Sequence, residues 1–140
     1  VFAYQRLRSV FGRLDKQKVA FLGVSYRGDV GDTRFSPVET LYRLIKSDTT
    51  FIKVHDPYIS RWDEVGVDVF FNLDDILTGD TDLIIISTAH SCYDSEDLIT
   101  RILCLPRCKI FDAVGLFNKK QISSLKAKHE ISLIGSGDFT

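Results

Sequence analysis

The sequence contains no methionine, one tryptophan and only three cysteines among its 140 residues. The cysteines are Cys92, Cys104 and Cys108, an odd number in which no two form a CxxC pair. Neither a disulfide framework nor a four-ligand zinc site is therefore predicted, and reduced thiols in a cytoplasmic protein are the simplest interpretation. The absence of an initiator methionine also predicts that the chain is a fragment of a longer polypeptide.

Long apolar runs and a dominant charge are also missing. No run approaches the ~20 apolar residues that a membrane-spanning helix needs, and residues 1–18 carry arginine and lysine where a signal peptide would be apolar. The 18 basic and 19 acidic residues give a net charge of -1. Since no broad field of one sign results, the sequence predicts a soluble, cytoplasmic protein that binds neither nucleic acid nor membrane.

The rest of the chain is arranged around the segment 18–46, which has the sequence pattern of a strand, a loop and a helix. Residues 18–24 (KVAFLGV) form an apolar run typical of a buried parallel strand, and a polar loop follows at 25–35. Ser36 and Pro37 then predict a helix start. The loop therefore lies where the carboxyl end of a strand meets a helix N-terminus, the usual place for an anionic ligand in an open α/β sheet.

Further strands alternate with helices along the chain. Besides 18–24, strands are predicted at 51–56, 67–71, 82–87, 109–112 and 131–134, with a helical turn at 61–64. The segment 82–87 is the most apolar and is predicted to be central. Helices are predicted at 1–15, from Ser36, near 95–103, and from Asn118, which forms a capping pair with Gln121.

This order predicts an α/β fold, namely a Rossmann-like, doubly wound, mostly parallel sheet of about six strands preceded by an N-terminal helix. Three parts are expected. Residues 1–17 form an amphipathic helix at the end of an interdomain connection, residues 18–134 form the Rossmann-like domain, and residues 135–140 form a polar tail.

The first loop, Gly23 to Gly28, lacks a dinucleotide fingerprint, because Ser25 stands where the second glycine of G-x-G-x-x-G belongs. What it offers is Tyr26 beside Arg27, a pair that suits a planar base or sugar and a diphosphate. The alternative is that Tyr26 covers the sheet edge and Arg27 is a solvated charge. The spacing alone leaves both open.

Other polar residues have structural interpretations. Asp32 and Arg34 either pair with each other, and so shape the loop, or brace a neighbouring domain. Asp56 stands where an acidic residue of a Rossmann fold hydrogen-bonds the ribose of a dinucleotide. The Pro57-Tyr58 that follows favours instead an aspartate that forms a turn.

Histidine and cysteine side chains suggest no catalysis. His90 precedes Cys92 by two residues, yet the sequence names no carboxylate to orient the imidazole, so a hydrogen-bonded loop histidine and an idle thiol are favoured. His55 and His129 are isolated, so no metal site is predicted. We expect no catalytic residue in this chain.

Four motifs in order carry a family resemblance: G-V-S-Y-R-G-D-V-G-D-T-R-F-S-P at 23–37, V-H-D-P-Y at 54–58, S-T-A-H at 87–90, and F-D-A-V-G-L-F at 111–117. Across residues 18–134 the chain resembles the C-terminal domain of the UDP-glucose/GDP-mannose dehydrogenase family. The resemblance implies a three-part enzyme with an NAD-binding domain, a central helical region carrying a catalytic cysteine, and this domain for the nucleotide sugar. Such enzymes oxidise the sugar C6 hydroxyl to a carboxylate with NAD.

Carried over by position, Tyr26 and Arg27 match the family's aromatic-lysine pair that contacts the substrate, and Asp32 and Arg34 match its D-x-R. Val114 departs from the family, which usually places an arginine there. The resemblance implies a UDP-sugar as ligand, with a lean toward N-acetylhexosamines. NAD is expected on another domain and no cofactor on this chain. Expected partners are the rest of the polypeptide and further copies in a homo-oligomer.

Two other functions remain open from the sequence. The first alternative is a non-catalytic assembly module of such an enzyme, in which Val114 marks a lost ligand site. The second is a stand-alone NAD-dependent reductase.

Overall fold

A computed structural model of the chain describes residues 2–34 and 36–134. Val1, Phe35 of the first loop and the predicted polar tail at 135–140 lie outside the described residues.

The described chain forms short strands and four α-helices. The strands are β1 (Val19–Leu22), β2 (Ile52–His55), β3 (Arg61–Trp62), β4 (Val67–Asp68), β5 (Leu83–Ile86), β6 (Lys109–Asp112) and β7 (Glu130–Leu133). The helices are α1 (Phe2–Phe11), α2 (Pro37–Asp48), α3 (Glu96–Leu103) and α4 (Lys119–Lys126).

Five strands form one sheet in the order β2-β1-β5-β6-β7, and every neighbouring pair is parallel. This confirms the predicted Rossmann-like fold with a preceding helix, and β5 is central as predicted. All four residues of β1 and of β5 are buried. Because helices cover both faces of the sheet, these strands are continuously apolar instead of alternating.

Two apolar cores lie on opposite faces of the sheet. One contains Leu7 of α1, Leu41 and Ile45 of α2, and Trp62 of β3. The other is built by α3 and α4, with Leu98, Ile102 and Leu125 among its fully buried side chains. None of the described helices has the length and apolar character required to cross a membrane.

The strand count is five instead of about six, because residues 67–71 do not join the sheet as a strand. Only β4 forms there, and it pairs antiparallel with β3, where a helical turn had been predicted at 61–64. Gly66 makes this hairpin possible, since its φ of 70° lies in the left-handed region. The chain then meets the outer edge of β2 through an isolated bridge between Phe70 and His55, and the carbonyl of Phe71 lies 2.9 Å from His55 Nε2.

Helix boundaries follow the capping signals. Ser36 Oγ accepts a hydrogen bond from Val38 N at 3.2 Å, and α2 begins at Pro37 as predicted. Asn118 and Gln121 form the predicted capping box of α4. Helix α1 ends at Phe11 and is shorter than predicted, since Gly12 adopts a φ of 75°.

Candidate functional site

The strand order reverses between β1 and β5. From β1 the chain crosses to β2 on one side, and it returns to β5 on the other side of β1. In open α/β sheets, ligands bind in the crevice outside the carboxyl ends of the strands at such a switch point. Two segments meet there, residues 23–34 after β1 and residues 87–95 after β5.

These two segments pack closely against each other. Gly23 has a φ of 95°, and a Cβ built on it would lie 2.4 Å from Cβ of Thr88. A Cβ on Gly28 would lie 2.1 Å from the carbonyl oxygen of Ala89. The hydroxyl of Ser87 donates to the carbonyl of Gly23 at 2.5 Å. The glycines therefore serve the contact between two segments of the chain.

Asp56 lies where the two segments meet and is only 1% exposed. Its Oδ2 accepts hydrogen bonds from Val24 N at 2.9 Å, Ser25 Oγ at 3.0 Å and His90 Nε2 at 2.8 Å. Its Oδ1 accepts from Tyr58 N at 2.8 Å, which is the predicted turn. Burial alone would raise the pKa of Asp56, but the hydrogen bonds from His90 and from the Val24 and Tyr58 amides outweigh it, so the pKa lies below its ordinary value.

His90 is fully buried and hydrogen-bonded through both ring nitrogens. Its Nδ1 accepts from Asp29 N at 2.9 Å, so the ring proton is on Nε2, which donates to Asp56. These partners assign a neutral imidazole. Sequence reasoning missed the carboxylate that orients His90. The available signal was that both residues directly follow parallel strands, whose carboxyl ends share one edge.

Cys92 does not complete a nucleophilic pair with this histidine. Desolvation, followed by the negative charges of Asp56 and Asp29, raises the pKa of the Cys92 thiol. Among the described residues, no group of three or more histidine, cysteine, aspartate or glutamate side chains could hold a metal ion.

Asp29 fixes the far side of the first loop. Its φ of 60° is left-handed, and its Oδ1 accepts from Ser91 N at 2.8 Å, Ser91 Oγ at 2.9 Å and Tyr58 OH at 3.2 Å. The hydrogen bonds from Ser91 hold the pKa of Asp29 below its ordinary value.

Tyr26 and Arg27, which we call the loop tip, lie between Ser25, which is hydrogen-bonded to Asp56, and Asp29. Tyr26 is 57% exposed and Arg27 is also exposed. Neither side chain forms a hydrogen bond or ion pair with another described residue. The structure thus places both residues at the switch point with their side chains exposed.

Asp32 and Arg34 pair with each other. Arg34 Nε lies 3.1 Å from Asp32 Oδ1, and Nη2 lies 3.0 Å from Oδ2. The guanidinium lowers the pKa of Asp32 to about 2. Backbone N–H of Tyr26 donates to the carbonyl of Asp32 at 2.6 Å, so the pair adjoins the loop tip.

Val114 and a surface cavity lie at opposite edges of the sheet. Val114, which follows β6, is 38% exposed, and its N–H donates to Asp112 at 3.2 Å. A surface cavity of about 350 Å³ is lined by residues at the starts of β1 and β2, including Lys18 and Phe51. It therefore lies at the amino-terminal edge of the sheet, opposite the switch point.

A doubly wound parallel sheet with polar loops at its switch point defines a class of α/β domains that bind nucleotides and related phosphate ligands. Comparison with known proteins identifies the family within this class. The sequence profile of the UDP-glucose/GDP-mannose dehydrogenase family, UDP binding domain, matches residues 20–119. The chain belongs to this family.

Archaeal relatives agree with this assignment. UDP-N-acetyl-D-mannosamine dehydrogenase of Methanococcus maripaludis is 26% identical over 129 residues, which are 89% of this chain and 28% of that protein. The same enzyme of Methanocaldococcus jannaschii is 27% identical over 123 residues, 86% of this chain and 27% of that protein. The chain thus spans just over a quarter of the length of these relatives.

Solved structures show the same fold. NDP-N-acetyl-D-galactosaminuronic acid dehydrogenase from Methanosarcina mazei superposes with a TM-score of 0.74 at 26% identity, over 96% of this chain and 27% of that one. UDP-D-ManNAc dehydrogenase from Pyrococcus horikoshii also gives 0.74, at 22% identity, over 98% of this chain and 31% of that one.

Proposed function

We propose that this chain is the substrate-binding domain of an NAD-dependent nucleotide-sugar 6-dehydrogenase, which oxidises the C6 hydroxyl of a UDP-sugar to a carboxylate. Residues 18–134 hold the nucleotide sugar, and residues 1–17 connect to the rest of the polypeptide. The names of the archaeal relatives favour a UDP-N-acetylhexosamine as substrate. No catalytic residue is assigned to this chain.

The loop tip carries this proposal. A tyrosine ring provides an apolar face for a base or sugar, and a guanidinium binds phosphate oxygens in a bidentate manner. Both groups are exposed at the switch point and lack protein partners among the described residues. The N-terminus of α2, which begins at Pro37, follows the same loop, and its dipole favours a negatively charged ligand.

NAD, which accepts the hydride in this reaction, is proposed to bind another domain of the full-length enzyme. Asp56 stands where a ribose-binding acid belongs, but it is 1% exposed and its oxygens already accept four hydrogen bonds within the chain. The turn at Gly28 is pressed against Ala89, which leaves no close approach for a pyrophosphate. These contacts argue against the stand-alone NAD-dependent reductase.

Calorimetric titration of the chain with UDP, a UDP-N-acetylhexosamine and NAD tests the proposal. We expect both uridine nucleotides to bind and NAD to give no heat of binding. Arg27→Ala should weaken UDP binding about tenfold or more, because a hydrogen bond to a charged group contributes about 1.5–3 kcal/mol.

Arg13→Ala is the matched control, since Arg13 is an exposed arginine that pairs with Asp15 ahead of β1, away from the carboxyl edge. It should leave UDP affinity unchanged. Tight NAD binding without any response to UDP would overturn the proposal.

Assembly is a further part of the proposal. Phe2 and Val10 of α1 are 67% and 40% exposed, which favours a contact surface for another copy or for the rest of the polypeptide. An assembly role does not replace nucleotide binding, because it leaves the exposed loop tip unexplained. A cytoplasmic location stays a prediction.

A further inference from the structure

The loop tip is fixed on its amino-terminal side by Ser25. This residue is fully buried, and its hydroxyl donates to Asp56 at 3.0 Å. Its carbonyl accepts a hydrogen bond from the hydroxyl of Thr88 at 3.1 Å. The chain therefore enters the loop tip from a point fixed by segments that follow β2 and β5.

The tip is fixed on its carboxyl-terminal side by Asp29. Its backbone N–H donates to His90 Nδ1 at 2.9 Å, and its carboxylate accepts from the backbone and hydroxyl of Ser91. These contacts stabilise a left-handed conformation that a residue other than glycine rarely adopts. The chain thus leaves the loop tip from a second fixed point.

One side chain connects the two fixed points. His90 Nε2 donates at 2.8 Å to the same oxygen of Asp56 that accepts from Ser25, while Nδ1 accepts from Asp29. Only a neutral ring with its proton on Nε2 can form both bonds at once. Since His90 is fully buried, it acts on the loop tip through these partners and not by touching a ligand.

We infer that His90 is the positioning residue of the nucleotide site: its neutral imidazole sets the distance between Ser25 and Asp29, and so presents Tyr26 and Arg27 in the geometry that binds a nucleoside diphosphate. The inference rests on the proposed function. A loop held in its binding conformation loses less conformational entropy when the ligand binds, so the affinity of the tip depends on this histidine.

Two substitutions separate the two hydrogen bonds of the ring. His90→Gln places an amide N–H near the position of Nε2, so it keeps the donor to Asp56 and removes the acceptor for Asp29 N. His90→Asn places an amide oxygen near the position of Nδ1, so it keeps that acceptor and removes the donor to Asp56. Because both variants shorten or reshape the same buried side chain, they serve as controls for each other.

UDP titration and amide hydrogen exchange of the folded variants provide the readouts. We expect His90→Gln to raise the Kd for UDP about tenfold and to accelerate exchange of the Asp29 amide. His90→Asn should also raise the Kd, because it breaks the connection from Asp29 to Asp56, but it should keep the Asp29 amide protected. A purely structural role would lower the stability of both variants and leave the Kd of the folded protein unchanged in both.

A third measurement needs no substitution. In the parent chain labelled with ¹⁵N, a coupling across the hydrogen bond should join the Asp29 amide nitrogen to His90 Nδ1. The inference is overturned if this coupling is absent, or if His90→Gln binds UDP as the parent does with an unchanged Asp29 exchange rate. If the parent chain itself does not bind UDP, the proposed function fails, and a parent chain without a UDP site also rejects the positioning role.

Discussion

Gly28 has no room for a side chain at the switch point. A Cβ there would lie 2.1 Å from a backbone carbonyl oxygen, which cannot turn away as a flexible side chain would. We expect Gly28→Ala to displace the first loop and to lower the free energy of unfolding by about 1–3 kcal/mol. Urea denaturation measures this change, and UDP titration should show weaker binding.

Gly79→Ala is the matched control for that substitution. Gly79 is exposed, and a Cβ there would meet nothing within 4 Å. Its free energy of unfolding should stay within about 0.5 kcal/mol of the parent value. Equal losses in the two variants would contradict the steric argument for Gly28.

Residue roles could be predicted where the partners are neighbours in sequence. The adjacency of Tyr26 and Arg27 marks a candidate ligand pair without knowledge of the fold. The contact between Asp56 and His90 could not be found in this way, because it joins residues 34 positions apart. It depends on the strand order β2-β1-β5, which brings the ends of three strands together.

Elements with local signals were predicted closely. The bounds of β6 agree with the prediction, and the capping residues of α2 and α4 were identified correctly. The hairpin of β3 and β4 was missed, since each strand has only two residues. Trp62 holds β3 in place by packing 4.9 Å from Tyr42 of α2, ring centroid to centroid, a tertiary contact with no local pattern.

The capping box of α4 predicts a measurable loss on substitution. Asn118 Oδ1 accepts from Gln121 N at 2.8 Å, and the Gln121 side chain accepts from Asn118 N at 2.9 Å. Asn118→Ala removes the first of these bonds and leaves an amide of the first turn unpaired. We expect the free energy of unfolding to fall by about 0.5–2 kcal/mol, measured by urea denaturation.

Ser123→Ala is the control within the same helix. Ser123 is exposed in α4, and alanine has the higher helix propensity, so stability should be unchanged or slightly raised. A loss as large as that of Asn118→Ala would show that the helix is sensitive to any substitution and not to its cap.

The whole fold should lose stability in mild acid, because it buries neutral histidines. Burial lowers the pKa of His55 and of His129, and both side chains are 2% exposed. Below about pH 6.5 the unfolded chain binds protons that the folded chain does not, so the free energy of unfolding falls as the pH is lowered. We expect a decrease on the order of 1 kcal/mol between about pH 7.5 and about pH 5, measured by urea denaturation.

His129→Gln tests the origin of this decrease. Glutamine can still donate to the carbonyl of Ile102, the partner of His129 Nε2, but it does not titrate. Its stability should be lower at every pH, with a shallower dependence below about pH 6.5. A slope as steep as that of the parent chain would show that other groups cause the acid sensitivity.

The architecture of the whole molecule was largely predictable because strands and helices alternate along the chain. The central place of β5 followed from its uninterrupted apolar residues. The prediction of a sixth strand in the sheet was wrong. Residues 67–71 have the composition of a strand, but they meet the edge of β2 at an isolated bridge between Phe70 and His55 and form no continuous ladder with it. Composition shows whether a segment can adopt a strand conformation. Pairing with a sheet also requires a free sheet edge and a connection of suitable length.

The chain contains one tryptophan, and Trp62 is fully buried between the hairpin and α2. Its fluorescence therefore reports only on the face of the sheet that α1 and α2 cover. Emission should be at short wavelengths in the folded chain and shift to the red when water reaches the indole. An optical signal of unfolding is thus built into the protein at a position distant in sequence from the loop that is proposed to bind the nucleotide.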